Sequence, residues 1–190
     1  MQPEKTQSTM KTMDLVFVDI ETTGMDPRTQ EIIEIAMLRV SQDWSSGVCT
    51  FTEKEAWTTK IHPEHIETAD PAALRINGYS ASEWTDTMSL HDALTLFAEK
   101  SAGAIMVAHN VAFDSEFLNA HFAAQGIVNR MHYHRLDTVS MAYQALRTAP
   151  EATRYSLVEL CKYFDIPFTN PHSAMPDVYA DFALFKKLCQ

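Results

Sequence analysis

Cysteine is scarce in this chain. The three present among 190 residues, Cys49, Cys161 and Cys189, are odd in number, far apart and without a C-x-x-C pair. They argue against a disulfide framework and a thiolate zinc site, and they suit a reduced, cytoplasmic compartment. Positive charge is also short: 15 Lys and Arg face 25 Asp and Glu, for a formal net charge of −10. Non-specific affinity for nucleic acid comes from basic side chains that neutralise phosphates, so this balance argues against a long duplex footprint. It leaves room for a protein that grips a few nucleotides through bound divalent cations, which are then the largest local charges. No apolar run approaches the roughly 20 residues that span a bilayer, so no membrane role is expected. The opening MQPEKTQSTMKT lacks the apolar stretch of roughly 7 to 15 residues that a secretory signal needs; residues 1–12 read as a flexible leader and 13–190 as one folded domain. Repeats and further low-complexity tracts are absent. The remainder, 46% hydrophobic and 21% charged, suffices for a single core.

What the chain does have is a run of strand and helix signals in a telling order. Leu15 to Asp19 (LVFVD) is a short β-rich run ending in a carboxylate, followed by the turn-prone Thr22-Thr23-Gly24 and Asp26-Pro27. Ile32 to Val40 predicts a second strand, Ser41 to Gly47 a hairpin connection, and Val48 to Ile61 the return strand. From Asp70 the pattern becomes helical: Asp70 precedes Pro71 at a first helical position, and Ser89 can cap LHDALTLFAEK. Ala104 to Ala108 predicts a strand, and Val111 to Gln125, closed by Gly126, a helix with Phe113, Phe117, Leu118 and Phe122 on its apolar side. A short strand near Tyr133 to Leu136 leads to a helix capped by Asp137. Ser156 and Glu159 form a capping box, and Pro176 is placed to open the last helix. Such an order predicts an α/β protein, with a mixed sheet flanked by helices and chemistry at the C-terminal ends of its parallel strands.

Acidic residues fall at those ends. Residues two apart on a strand point to one side, so Asp19 and Glu21 can present two carboxylates to one point. Alone, that pair is no more telling than the solvated Glu53-Lys54-Glu55. Asp114 sits in HNVAFDSEFL near a helix start, where the dipole already favours a carboxylate by roughly 0.3 to 1 kcal/mol. His109 and Asn110, directly after a buried strand, have no evident core role, and Phe113 offers a ring on which a base can stack. His172 and Asp177 share the Pro-rich NPHSAMPDVYAD; a histidine is the natural general base near neutral pH, and here it lies five residues before a carboxylate. Four carboxylates and one imidazole are what two-metal phosphoryl chemistry requires, and hard oxygen ligands suit Mg²⁺ or Mn²⁺.

The segments FVDIETTG, HNVAFDSEFL and HSAMPD resemble the three motifs of the DEDDh family of proofreading-type 3′-to-5′ exonucleases, nearest to the branch of the bacterial DNA polymerase III epsilon subunit and its stand-alone relatives. IIEIA around Glu34, LRINGYS at Leu74 to Ser80, RLDT at Arg135 to Thr138 and SLVELCKYFDI at Ser156 to Ile166 extend the resemblance from about Asp14 to the C-terminus. It implies a ribonuclease H-like fold with a five-stranded mixed sheet in order 3-2-1-4-5, strand 2 antiparallel. It also implies that Asp19, Glu21, Asp114 and Asp177 hold two divalent cations while His172 activates water. Thr22, Thr23, Gly24, Asn77, His109, Asn110 and Phe113 are implied around the terminal nucleotide. Pro171, where relatives commonly carry Arg, departs from the pattern and bears on how the histidine loop closes.

Three functions fit these residues. One is a 3′-to-5′ exodeoxyribonuclease of proofreading or repair type, with a nucleic-acid 3′ end as substrate and a DNA polymerase as a conceivable partner. The second applies the same chemistry to short RNA or RNA 3′ ends, since no residue announces a contact to the 2′-hydroxyl. The third is a non-catalytic nucleic-acid or polymerase-binding module, against which the filling of all five catalytic positions speaks. Five basic residues between Arg130 and Lys162 form either a strand-guiding patch or a solvated face, and His132-x-His134 lacks further ligands for a zinc site. Trp44, Trp57 and Trp84 read as packing residues.

Overall fold

A computed structural model describes residues 9–82, 84–169 and 172–190; Pro171 lies outside them. Six strands, β1 (Leu15–Thr22), β2 (Ile32–Asp43), β3 (Thr50–Ile61), β4 (Thr87–Met88), β5 (Ile105–Ala108) and β6 (Arg135–Asp137), form one sheet in the order β4-β3-β2-β1-β5-β6. β2 runs antiparallel to β1 and β3, while β1, β5 and β6 are mutually parallel. The expected order and the antiparallel second strand are therefore present, but the sheet has six strands rather than five. The addition is β4, a two-residue edge strand parallel to β3. It is too short to carry a period-2 pattern, which is why the sequence shows only a link between helices there.

Among the described residues there are six α-helices: α1 (Pro71–Ile76), α2 (Leu90–Lys100), α3 (Val111–Gln125), α4 (Thr138–Ala145), α5 (Leu157–Tyr163) and α6 (Ala174–Leu188). Their starts follow the sequence signals. Asp70, Ser89, Asp137 and Ser156 each accept a backbone N–H as N-caps, and Gly126 ends α3 with φ 67°. Pro176 is the exception. α6 begins two residues earlier at Ala174, after Ser173, which makes no side-chain cap bond, and the proline sits within the first turn, where a missing N–H costs no intrahelical bond.

Alternation along β1 divides the core. Val16, Val18 and Ile20 face one layer with Phe97, Phe117 and Leu118 of α2 and α3. Leu15 and Phe17 face the other, against Val178, Phe182 and Phe185 of α6. Phe17 lies 5.0 Å from Phe182 and 5.3 Å from Phe185, centroid to centroid. β1 is thus covered on both faces, which explains its nearly unbroken apolar run. The α6-facing set continues by the same period through Asp19 and Glu21, so carboxylates replace apolar groups where the strand leaves the core.

Candidate active site

β1 pairs with β5 only from Leu15 to Phe17, then continues beside β2 alone. β5 ends at Ala108 and turns into α3, which opens a crevice at the C-terminal ends of β1 and β5, where ligands collect in sheets of this type. Asp19 and Glu21 enter it from β1. Asp177, from the first turn of α6, joins them: ligand oxygens of Asp19, Glu21 and Asp177 all lie within 4.8 Å of one another. Asp114, one turn into α3 and 4% exposed, accepts the Ile20 N–H at 3.2 Å through Oδ1. This bond ties the helix to the strand that carries Asp19 and Glu21.

Crowding and burial leave these acids poorly compensated. Burial, followed by the charges of Asp114, Glu21 and Asp177, raises Asp19 well above the usual carboxylate range. Burial and then Asp177 and Glu34 push Glu21 to about 8. Asp177 rises to about 6 through burial, opposed by the His172 N–H and imidazole. Asp114 is raised by burial against its bond from Ile20. Among the described residues, Oδ1 of Asp177 is buried without a hydrogen-bond partner. A hard, oxygen-rich set with a bare oxygen and too little positive charge fits divalent cations of the magnesium or manganese kind.

His172 is exposed on the loop before α6. Its backbone is left-handed, φ 68°, and its N–H donates to Asp177 Oδ2 at 3.4 Å. A non-glycine residue there costs on the order of 1 kcal/mol, and the carboxylate helps to hold it.

Beside the acids lies a cleft of about 320 Å³ whose lining includes Thr22, Gly24, Asn77 and Phe113. Thr23, His109 and Asn110 are absent from that lining. Thr23 is fully buried: its hydroxyl donates to Gln30 Oε1 at 2.8 Å and its carbonyl accepts the Asp70 N–H at 2.7 Å. Asn77 donates to the Thr22 carbonyl at 3.0 Å, so α1 and the Thr22-Gly24 turn form one wall. His109 points inward, its ring nitrogens within 3.1 Å of the Thr138 hydroxyl and 2.9 Å of the Tyr155 carbonyl. Asn110 caps α3 in a left-handed conformation, φ 68°. The sequence reading missed Met25 and Ile76, which are 76% and 58% exposed at this cleft; isolated apolar residues in turns carry no periodic signal. It also missed Asp181, buried on α6. The Asp177-x-x-x-Asp181 spacing, which stacks two carboxylates on one helix face, was the available clue.

The fold and this crevice define a hydrolase-like α/β scaffold organised around acidic side chains. A family model described as an exonuclease, RNase T, matches residues 16–185; the chain belongs to this exonuclease family and carries a domain of its DEDD-type 3′-to-5′ class, a divalent-metal-dependent group. It is 30% identical over 180 residues to the PolC-type DNA polymerase III of Oceanobacillus iheyensis, a match covering 92% of this chain and 11% of that protein. It is 28% identical over 173 residues to the PolC-type enzyme of Bacillus subtilis, covering 91% and 11%. Among solved structures, E. coli exonuclease I in complex with a dA16 oligonucleotide superposes with a TM-score of 0.76 at 24% identity, covering 94% of this chain and 41% of that one. The last is a likeness of fold. The chain spans about a tenth of the length of these polymerases and under half of exonuclease I.

Proposed function

We propose that this chain hydrolyses the terminal phosphodiester at the 3′ end of single-stranded or frayed DNA, releasing nucleoside 5′-monophosphates. The observation that carries this is the convergence of Asp19, Glu21 and Asp177 within 4.8 Å, with Glu21 also lining a cleft of about 320 Å³ that Phe113 lines as well. Asp19, Glu21, Asp114 and Asp177 would hold two cations, Mg²⁺ or Mn²⁺. Bound there, the cations would supply Lewis-acid stabilisation of the phosphoryl oxygens and acidify the attacking water. The protein's own part is to position and to move a proton. Asp114 and the Ile20 N–H keep β1 and α3 in register, Phe113 offers a stacking face to the last base, and the exposed His172 ring takes the proton from water as general base. DNA is favoured because the relatives are DNA polymerases by name and exonuclease I is in complex with a dA16 oligonucleotide; the polymerase relatives also make a DNA polymerase a candidate partner.

The test uses matched 5′-labelled DNA and RNA oligonucleotides with Mg²⁺ or Mn²⁺, alongside chelator and 3′-blocked controls. A ladder shortening from the 3′ end, faster on DNA and abolished by chelator, is expected. A faster RNA ladder would move the substrate to RNA. No ladder under any condition would leave the chain a binding module.

A further inference from the structure

One buried acid plays no part in the chemistry proposed above. Asp181 lies on α6 one turn beyond Asp177 and is 3% exposed. Its Oδ1 is 2.5 Å from the Thr138 hydroxyl oxygen. That oxygen is 3.1 Å from Nδ1 of His109, whose Nε2 is 2.9 Å from the Tyr155 carbonyl. The carbonyl can only accept, so Nε2 carries a proton. In a neutral ring Nδ1 is then bare and can only accept. Thr138 has one proton, its oxygen also lying a longer 3.4 Å from the Ala108 carbonyl; if that proton goes to Nδ1, the hydroxyl oxygen is free to accept from Asp181, 2.5 Å away. A carboxylic acid meets that need and a carboxylate does not. The other arrangement, imidazolium and carboxylate, reverses both bonds.

Among the described residues Oδ2 of Asp181 is buried without a hydrogen-bond partner, so a negative charge there would go unsatisfied, and the surroundings favour the neutral pair. Burial holds His109 below its ordinary value. Burial, with the charges of Asp137 and Asp177, raises Asp181 to about 7 against the Thr138 hydrogen bond. Both groups are therefore driven toward their neutral forms. We propose that Asp181 is a positioning residue that donates a hydrogen bond to Thr138, which passes it to His109 and pins that ring to the Tyr155 carbonyl. The chain of bonds braces α6, α4, β5 and the segment before α5 beneath the acids. It fixes the turn after β5, where Asn110 is left-handed and the Val111 N–H is held by Asp137 Oδ2 at 2.8 Å. That turn delivers Asp114, so the brace deepens the nuclease assignment and rests on it.

Asp181→Asn keeps a neutral donor of the same shape, whereas Asp181→Ala and Thr138→Val break the chain. With Mn²⁺ and a DNA oligonucleotide, the Asn variant should retain kcat. The Ala and Val variants should lose about 10- to 100-fold in kcat with KM little changed, the usual cost of removing a supporting partner behind a metal site. In ¹⁵N spectra of the whole metal-free chain, His109 should be the neutral Nε2–H tautomer in the wild type and in Asp181→Asn. If Asp181→Ala does not fold, Thr138→Ser against Thr138→Val carries the comparison, with Ser matching the wild type. An Asn variant as impaired as Ala, a Ser variant as impaired as Val, or an imidazolium His109 at neutral pH in the wild type, would overturn the proposal. A wild type inactive on every oligonucleotide would instead sink the nuclease assignment, and the imidazole spectrum would still decide the hydrogen-bond chain.

Discussion

Glu21→Gln in the metal-free protein isolates the cost of gathering carboxylates without cations. Glu21 is pushed from 4.5 to about 8 in the fold, by burial first and then by Asp177 and Glu34. A folded value above the unfolded one means that the folded state keeps a proton the unfolded state has released. That stability is fully present below about pH 4.5 and is lost as pH rises through about 8. At about 1.4 kcal/mol per unit, the loss from this single group is on the order of 3 to 5 kcal/mol, a large part of a domain's total stability. Urea unfolding in chelator, from pH 5 to pH 9, should therefore show wild-type stability falling with pH. The Gln variant should fall less steeply, by up to about 1.4 kcal/mol per pH unit. Manganese should narrow the gap: at ~100 times its dissociation constant it adds roughly 2.7 kcal/mol to the wild type and less to the variant. A wild type whose stability is flat over this range in chelator and indifferent to manganese would refute the idea that these acids form a strained cation site.

Three further outcomes are expected. His172→Ala should lower turnover by about 10² to 10⁴ with an unchanged melting temperature, because the side chain is exposed and its proposed work is proton transfer; single-turnover kinetics and calorimetry check the two halves. Gly24→Ala would place a Cβ 2.8 Å from Gln30, whose amide oxygen is bonded to Thr23 and whose amide nitrogen donates to Thr68. Roughly 1 to 3 kcal/mol of stability should be lost and KM raised as the cleft wall shifts, seen by unfolding and by oligonucleotide titration. Phe17→Ala, at a fully buried ring wedged between Phe182 and Phe185, should cost about 3 to 5 kcal/mol in urea unfolding.

Much of this molecule was legible in its residues because local rules and tertiary needs agree. Asp70, Ser89, Asp137 and Ser156 mark helix starts by the cap each makes, and the alternation in β1 already puts Asp19 and Glu21 on one side. β4 was hidden because two residues make no period, and its pairing depends wholly on the neighbouring β3. The nucleotide-pocket expectation separated for a similar reason. Thr22, Gly24, Asn77 and Phe113 line the cleft, but Thr23 and His109 spend their polar atoms on Gln30, Thr138 and Tyr155. Side-chain direction of that kind depends on partners 7, 29 and 46 residues away.

The sequence by itself determined the residue types of the chemistry, the order of the elements and the face each carboxylate takes, since strand and helix periods are local properties of the backbone. Only the tertiary structure decided that Asp177 meets Asp19 and Glu21 within 4.8 Å, that Asp114 is locked to Ile20, and that Asp181 lies buried behind them. Distances between segments more than 90 residues apart are set by how the helices pack on the sheet. Burial, which makes these acids need a counter-charge, exists only once that packing has formed.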